Sequence, residues 1–419
     1  MTTPGTPRRA LISGASIAGP ALAHWLRRDG WQVTIVERAP ALRTGGQNVD
    51  VRGAGREVLR RMGLDEAVLA AGTGEVGTRF VTADGSAIAE FPAGTDDTGG
   101  ATAEAEILRG DLAEIVIGST EGVKYRFGDR ITAIDDPTTK DPSGPGNGGP
   151  ATVSFEHAAD EEFELVVIAE GLRSTTRRMV FGAEVQLRPL GLQCTFLTIP
   201  RTEDDDRWWR WYNAPGGRSV TLRPDNHGTT RALLNSRIDR DAPDIGRLDR
   251  DELVAALRER FTGAGWQSER ILAALDDADD VYSQTIAQVR APRWSTGRVV
   301  LLGDAAYCAS PVSGMGTTLS LVGAYMLGSA LRRSDDGREA LRTYEREFRG
   351  YTERAQDLPP GTPGAANPFS RAGITALNTV MRIAASPFGR ALQRMFQRPP
   401  ADDFTLPPMP ERAEARPAA

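Results

Sequence analysis

The chain has 419 residues, and 50 Lys plus Arg against 56 Asp plus Glu give a formal net charge of −6, which excludes nucleic acid and anionic membrane as main partners. With 40% hydrophobic and 25% charged residues it is an ordinary globular composition, long enough for about two to three domains. Two cysteines, Cys194 and Cys308, exclude a disulfide framework and a multi-cysteine zinc site and fit a reducing cytoplasm, and no apolar run approaches the roughly 18 residues of a membrane span.

The polar start, residues 1–9, does not read as a signal peptide. Residues 9–13 read as a buried strand, 14–19 as a Gly-rich turn, and 20–28 as a helix with Pro20 in its first turn and Gly30 as its stop. A second strand over 32–37 completes a βαβ unit. A helix over 55–62 stopped by Gly63 follows, then a hairpin of 79–84 and 87–91 around Asp84-Gly85, and an amphipathic helix over 109–118. Strands at 131–135 and 151–156 flank a connector, 136–150, whose Pro, Gly, Thr and Asn predict a mobile surface loop. Over 190–235 the pattern becomes antiparallel sheet, with turn chemistry at Pro215-Gly216-Gly217 and from Pro224 to Gly228. Next come a helix over 251–261, a buried strand over 298–302, and a Gly-rich loop feeding a helix over 317–332. A charged helix over 337–356, a Pro/Gly connector over 358–368 and an amphipathic helix carrying Ile374, Leu377, Met381 and Ala384 follow. The polar, Pro-rich tail 399–419 is expected to be disordered.

Three stretches carry chemistry. Gly14-Ala15-Ser16-Ile17-Ala18-Gly19, with Glu37 at the end of the next strand, suits a pyrophosphate at a helix N-terminus and an acid on a ribose hydroxyl. Ser16 replaces the middle glycine of the usual pattern, and the same residues also suit a plain strand–turn–helix. In the second, a buried strand from Glu164 runs into Glu170-Gly171 with Ser174 and Arg177 beyond, either a turn over a cofactor or a charged loop. The third is Gly303-Asp304-Ala305-Ala306 after a strand, then Pro311, Gly314, Met315 and Gly316 at the start of a helix. An acid there suits a polyol hydroxyl, and the helix end suits a ring that gains negative charge.

In this order and spacing the three stretches resemble the aromatic-ring hydroxylase family of FAD monooxygenases, whose reference member is para-hydroxybenzoate hydroxylase. The Gly45-Gly46-Gln47 turn, the 107–112 segment and the helical C-terminus look most like the tetracycline-modifying and polyketide-tailoring branch. The resemblance covers roughly residues 8–398 and implies an α/β fold. A Rossmann-like FAD-binding domain (1–75, 107–180 and 281–357) would hold an inserted antiparallel-sheet substrate domain (76–106 and 181–280), followed by a C-terminal helix (369–398). Gly14, Ser16, Ile17, Ala18 and Gly19 would flank the FAD pyrophosphate, with Glu37 and Arg38 at the adenosine ribose end. Arg109 would contact FAD from the start of its helix, Arg43 would lie near the flavin and Asp304 would bind the ribityl chain. Pro311, Gly314, Met315 and Gly316 would shape the loop beside the ring. The middle motif carries Glu164 and Glu170 where the family has Asp, an extra methylene that shifts its geometry.

The resemblance further implies that NADPH or NADH reduces the flavin, that O2 adds at its C4a position, and that the hydroperoxide oxidises an aromatic or polyketide-type small molecule by hydroxylation, epoxidation or Baeyer–Villiger insertion. The protein would be a cytoplasmic monomer or weak homodimer. No side-chain nucleophile is needed, and His24, His157 and His227 show no triad or ligand spacing. The sheet over 190–235 would wall the substrate pocket, and its alternation sends Arg210 and Tyr212 to one face, Trp209 and Trp211 to the other. With Arg210 towards the flavin, hairpin register places Phe196, Thr221 and Arg231 beside it. A flavin halogenase is disfavoured because Trp209-Arg-Trp211 lacks the following Ile-Pro. A non-catalytic FAD- and ligand-binding protein, or another flavin oxidoreductase of this fold, is the alternative.

Overall fold

The structure is a computed structural model that describes residues 7–43, 45–93, 103–140, 149–359, 361–387, 389 and 404–410. Its first layer is a six-stranded sheet in the order Ser295–Thr296, Val299–Leu301, Leu165–Ile168, Arg9–Ser13, Gln32–Glu37, Lys124–Phe127. All neighbours are parallel except the short edge strand Ser295–Thr296. The central strands are continuous apolar runs because both faces are covered: Leu11, Ile12, Val166, Val167 and Val300 have no exposed surface. Helices Ala18–Arg28, Gly316–Arg333 and Gly337–Gln356 belong to this core. Gly316–Arg333 is apolar on nearly all sides, as an interior helix must be.

The second layer is a seven-stranded sheet in the order Tyr282–Arg290, Gln186–Pro200, Thr229–Arg237, Arg218–Pro224, Trp209–Ala214, Gly77–Val81, Ala87–Pro92. The hairpin around Asp84-Gly85 thus joins this sheet, through a parallel pairing of Gly77–Val81 with Trp209–Ala214. One face packs on helices Arg250–Phe261 and Ser268–Ala274 in a core of its own, around Leu222, Leu234, Leu257 and Ile271.

Three expectations are corrected here. The connector after residue 135 begins anchored: Asp136 is buried and accepts hydrogen bonds from the backbone N–H groups of Thr138 and Arg298, while 141–148 lie outside the described residues. The terminal helix Arg371–Ala385 breaks at Ser386, which is extended (ψ 158°) because Pro387 disfavours the helical conformation before it, and 390–398 of the expected helix lie outside the described residues. Finally, residues 404–410, placed in the disordered tail, pack on the first core. Leu406 is 6% exposed, Phe404 and Met409 lie against the same cluster, and the Pro407 carbonyl accepts from Arg61 (2.8 Å) and Tyr325 (2.7 Å). Among the described residues no helix is long and apolar enough to cross a membrane.

Candidate active site

The first motif is a backbone requirement. Gly14 leaves its strand at φ +118°, where a Cβ would stand 2.4 Å from the Ala169 carbonyl oxygen, and a Cβ on Gly19 would stand 2.1 Å from the Gly14 oxygen. Only glycine fits either position. Ser16 is exposed, so its side chain costs no packing. The helix starts at Ala18 after Ile17, and no side chain caps it, so its first-turn N–H groups stay available to an anion. The Glu37 carboxylate accepts from the N–H groups of Ala15 (3.1 Å) and Ala39 (2.9 Å) and keeps lone pairs for hydroxyls. Arg38 beside it is exposed.

The other segments close on this turn. Arg109 donates from Nη1 to Ser16 Oγ (3.1 Å) and from Nη2 to the Gly45 carbonyl (2.7 Å). Burial and the nearby Arg43 push its pKa down, and among the described residues no carboxylate pairs with it. A half-buried guanidinium without an acid leaves its charge unanswered, so an anionic group from elsewhere is the natural partner. Arg43 itself is exposed. Gly303 lies against Ala18, its notional Cβ 3.0 Å from that of Ala18, which brings Asp304 to the same crevice. Burial pushes the Asp304 carboxyl up, and among the described residues no cation pairs with it. Pro311–Ser313 then make one 3-10 turn, Gly314 is left-handed, and Met315 is buried just before helix Gly316–Arg333, whose first turn no side chain caps. Gly314 and Gly316 face open space.

This crevice fits FAD. It offers a glycine cradle and uncapped helix end for the diphosphate, a half-buried guanidinium with no carboxylate partner among the described residues, acids at two strand ends for hydroxyls, and a second uncapped helix end beside open space. The middle motif is wired differently from a ligand site. Glu170 accepts hydrogen bonds from Ser13, Ser174 and both the N–H and hydroxyl of Thr176, and Glu164 accepts from the Arg9 N–H. These ties hold the strand ends that carry the Gly14 turn.

The expected substrate wall needs correction by one residue of register. Phe196, Leu233, Thr221, Trp211 and Phe80 form one rung across five strands, and Arg231 lies on the same face, paired with Thr198. Leu233 and Val312 of the Pro311 turn both pack against the buried cluster that contains Phe196, so this is the face towards the crevice. Arg210 and Tyr212 lie on the opposite face: Arg210 pairs with Leu222 and ion-pairs with Asp205, and the Tyr212 hydroxyl bonds the Ala264 carbonyl. Phe196, Thr221 and Arg231 therefore stay together, without Arg210 and Tyr212.

A charged knot on the crevice-facing side went unread in the sequence. Arg223 donates to Glu75 (2.7 Å) and lies 3.4 Å from Glu106, with its guanidinium 4.2 Å over the Trp209 ring. Burial and Glu75 push the Glu106 carboxyl up to about 7, against the opposing pull of Arg223. Its members are far apart in sequence and in no motif, so no local signal marks them. The histidines take no part: His24 is buried and bonded to Ser119, His157 is exposed, and His227 meets Asp111 at the surface.

A family model described as FAD binding domain matches residues 8–358. The flavin-dependent monooxygenase eupH of Phoma sp is 36% identical over 406 residues, covering 91% of this chain and 92% of that protein. The FAD-dependent monooxygenase asL4 of Sarocladium schorii is 33% identical over 410 residues, covering 90% and 92%. The crystal structure of tetracycline destructase Tet(51) superposes with a TM-score of 0.78 at 28% identity, covering 96% of this chain and 99% of that one. With a crevice that fits FAD and this match over most of its length, the chain belongs to the FAD-binding family of aromatic-hydroxylase-like flavin-dependent monooxygenases.

Proposed function

We propose that this monooxygenase takes its electrons from NADPH or NADH and uses O2 to oxidise an aromatic or polyketide-type small molecule, by hydroxylation, epoxidation or Baeyer–Villiger insertion. Bound FAD supplies the redox chemistry and the activation of oxygen. The Gly14–Gly19 turn, Glu37, Arg109 and Asp304 hold it. The first turn of helix Gly316–Arg333 favours negative charge on its ring.

The observation that carries the reading is the position of the Pro311 turn. It joins the crevice where the motifs converge to the inner face of the seven-stranded sheet, because Val312 packs against the sheet's buried cluster of Leu192, Cys194, Phe196 and Ile286. A substrate lying on that face meets the rung of Phe196, Leu233, Thr221, Trp211 and Phe80, with Arg231 and Arg223 on the same face. The destructase named for tetracycline supports a fused, oxygenated ring system as the class of substrate. Two buried, unpaired cysteines support work in a reducing cytoplasm.

The test is oxygen and NADPH consumption by FAD-loaded protein with a panel of phenols, enols and fused-ring ketones. The reading requires consumption stimulated by some member, with one oxygen atom of O2 in the product. Oxygen uptake that no ring compound alters, with only peroxide formed, would count against it.

A further inference from the structure

The inner face of the seven-stranded sheet carries polar atoms that the protein leaves unpaired. Trp209 Nε1, Trp211 Nε1, Thr78 Oγ1 and Thr221 Oγ1 are all shielded from solvent and lack a hydrogen-bond partner among the described residues. They are neighbours: Trp211 stands opposite Thr221 in one pairing, Trp209 opposite Thr78 in the next, and the two indole rings are 5.3 Å apart. Thr221 is wholly buried and Thr78 is 5% exposed. Buried donors left unpaired are costly, so their clustering on one face calls for a partner.

The rings are also held in place. Arg223 lies 4.2 Å over Trp209 and is itself fixed by Glu75, while Phe80 stacks on Trp211 at 6.0 Å. The rung continues through Leu233 to Phe196, whose buried cluster packs against Val312 of the Pro311 turn. An indole N–H only donates, so whatever pairs with these two must bring acceptors.

We propose that Trp209, Trp211 and Thr221 are specificity-determining residues that read a planar ring substrate through at least two acceptor oxygens, carbonyl or enolate, presented to the two indole N–H groups and the threonine hydroxyl. This rests on the flavin reading above and narrows its substrate class. A site built to pair donors discriminates strongly against a ligand of the same outline that lacks the acceptors. The alternative source of acceptors is trapped water, which would leave ligand affinity indifferent to these groups.

The test uses FAD-loaded protein with isotope-labelled tryptophan and two probes of one outline, the hydroxynaphthoquinone lawsone and oxygen-free naphthalene. Indole N–H signals of Trp209 and Trp211, assigned with Trp209→Phe and Trp211→Phe, should move downfield with lawsone and stay with naphthalene. Each Phe variant, and Thr221→Val, should weaken lawsone roughly tenfold, about 1.4 kcal/mol, and leave naphthalene affinity unchanged. Lawsone bound with both signals unmoved, variants that weaken both probes alike, or binding of neither probe would overturn the proposal. Flavin absorbance separates the two levels: protein that takes up no FAD fails the parent reading, whereas FAD-loaded protein without the indole shifts fails this one alone.

Discussion

Arg109 joins three segments that are remote in sequence, yet it has no acid to answer its charge among the described residues. Replacing it with Met removes a half-buried charge that would anchor the cofactor. Arg109→Met should therefore weaken FAD by roughly tenfold or more, about 1.5–3 kcal/mol for a hydrogen bond to a charged group. Unchanged FAD affinity would remove Arg109 from the site. Glu106 gives a pH signature. The folded carboxyl keeps its proton to about 7 while the unfolded one releases it near 4.5, so the folded state binds more protons across that window and stability falls as pH rises through it. In Glu106→Gln this fall should be smaller than in the parent, as read by melting temperature at both ends of the window; an identical pH slope would contradict the buried carboxyl. Residues of the first kind were legible in the sequence and those of the second were not, for a physical reason. Gly14 and Gly19 answer a local backbone demand visible in six residues, whereas Glu75, Glu106 and Arg223 meet only through the tertiary fold.

At the scale of elements, periodicity and stop signals read the parallel strands and helices well. The strands Arg9–Ser13 and Gln32–Glu37 and the helix Arg109–Gly118 have the expected bounds. Register in the seven-stranded sheet was not legible, because a slip of one residue moves every side chain to the other face and nothing local fixes it. Arg210 looked like a ligand contact and proved to be tied to Asp205 behind the sheet. The tail failed for another reason: its prolines dominate the composition, but Phe404, Leu406 and Met409 are enough apolar surface to dock a short segment. Leu406→Ala should cost about 2 kcal/mol, the low end for a buried leucine because a terminal segment can settle into the space. Chemical denaturation measures it, and a loss within error of zero would mean that 404–410 is not held in solution.

The whole molecule sets one open crevice of the parallel sheet against the inner face of an antiparallel one, with the Pro311 turn as the link between them. The parallel layer supplies glycine turns, uncapped helix ends and strand-end acids, all of which suit a negatively charged, hydroxyl-rich cofactor. The antiparallel layer supplies aromatic rings and unpaired donors, which suit a flat, oxygenated substrate. The most direct measurement is therefore a titration of the flavin-stripped protein with FAD, followed by protein fluorescence and by the flavin's visible absorbance. Saturation at one FAD per chain, weakened in Arg109→Met, is the expected result; a chain that takes up no FAD, or takes it up equally well without Arg109, would contradict the site.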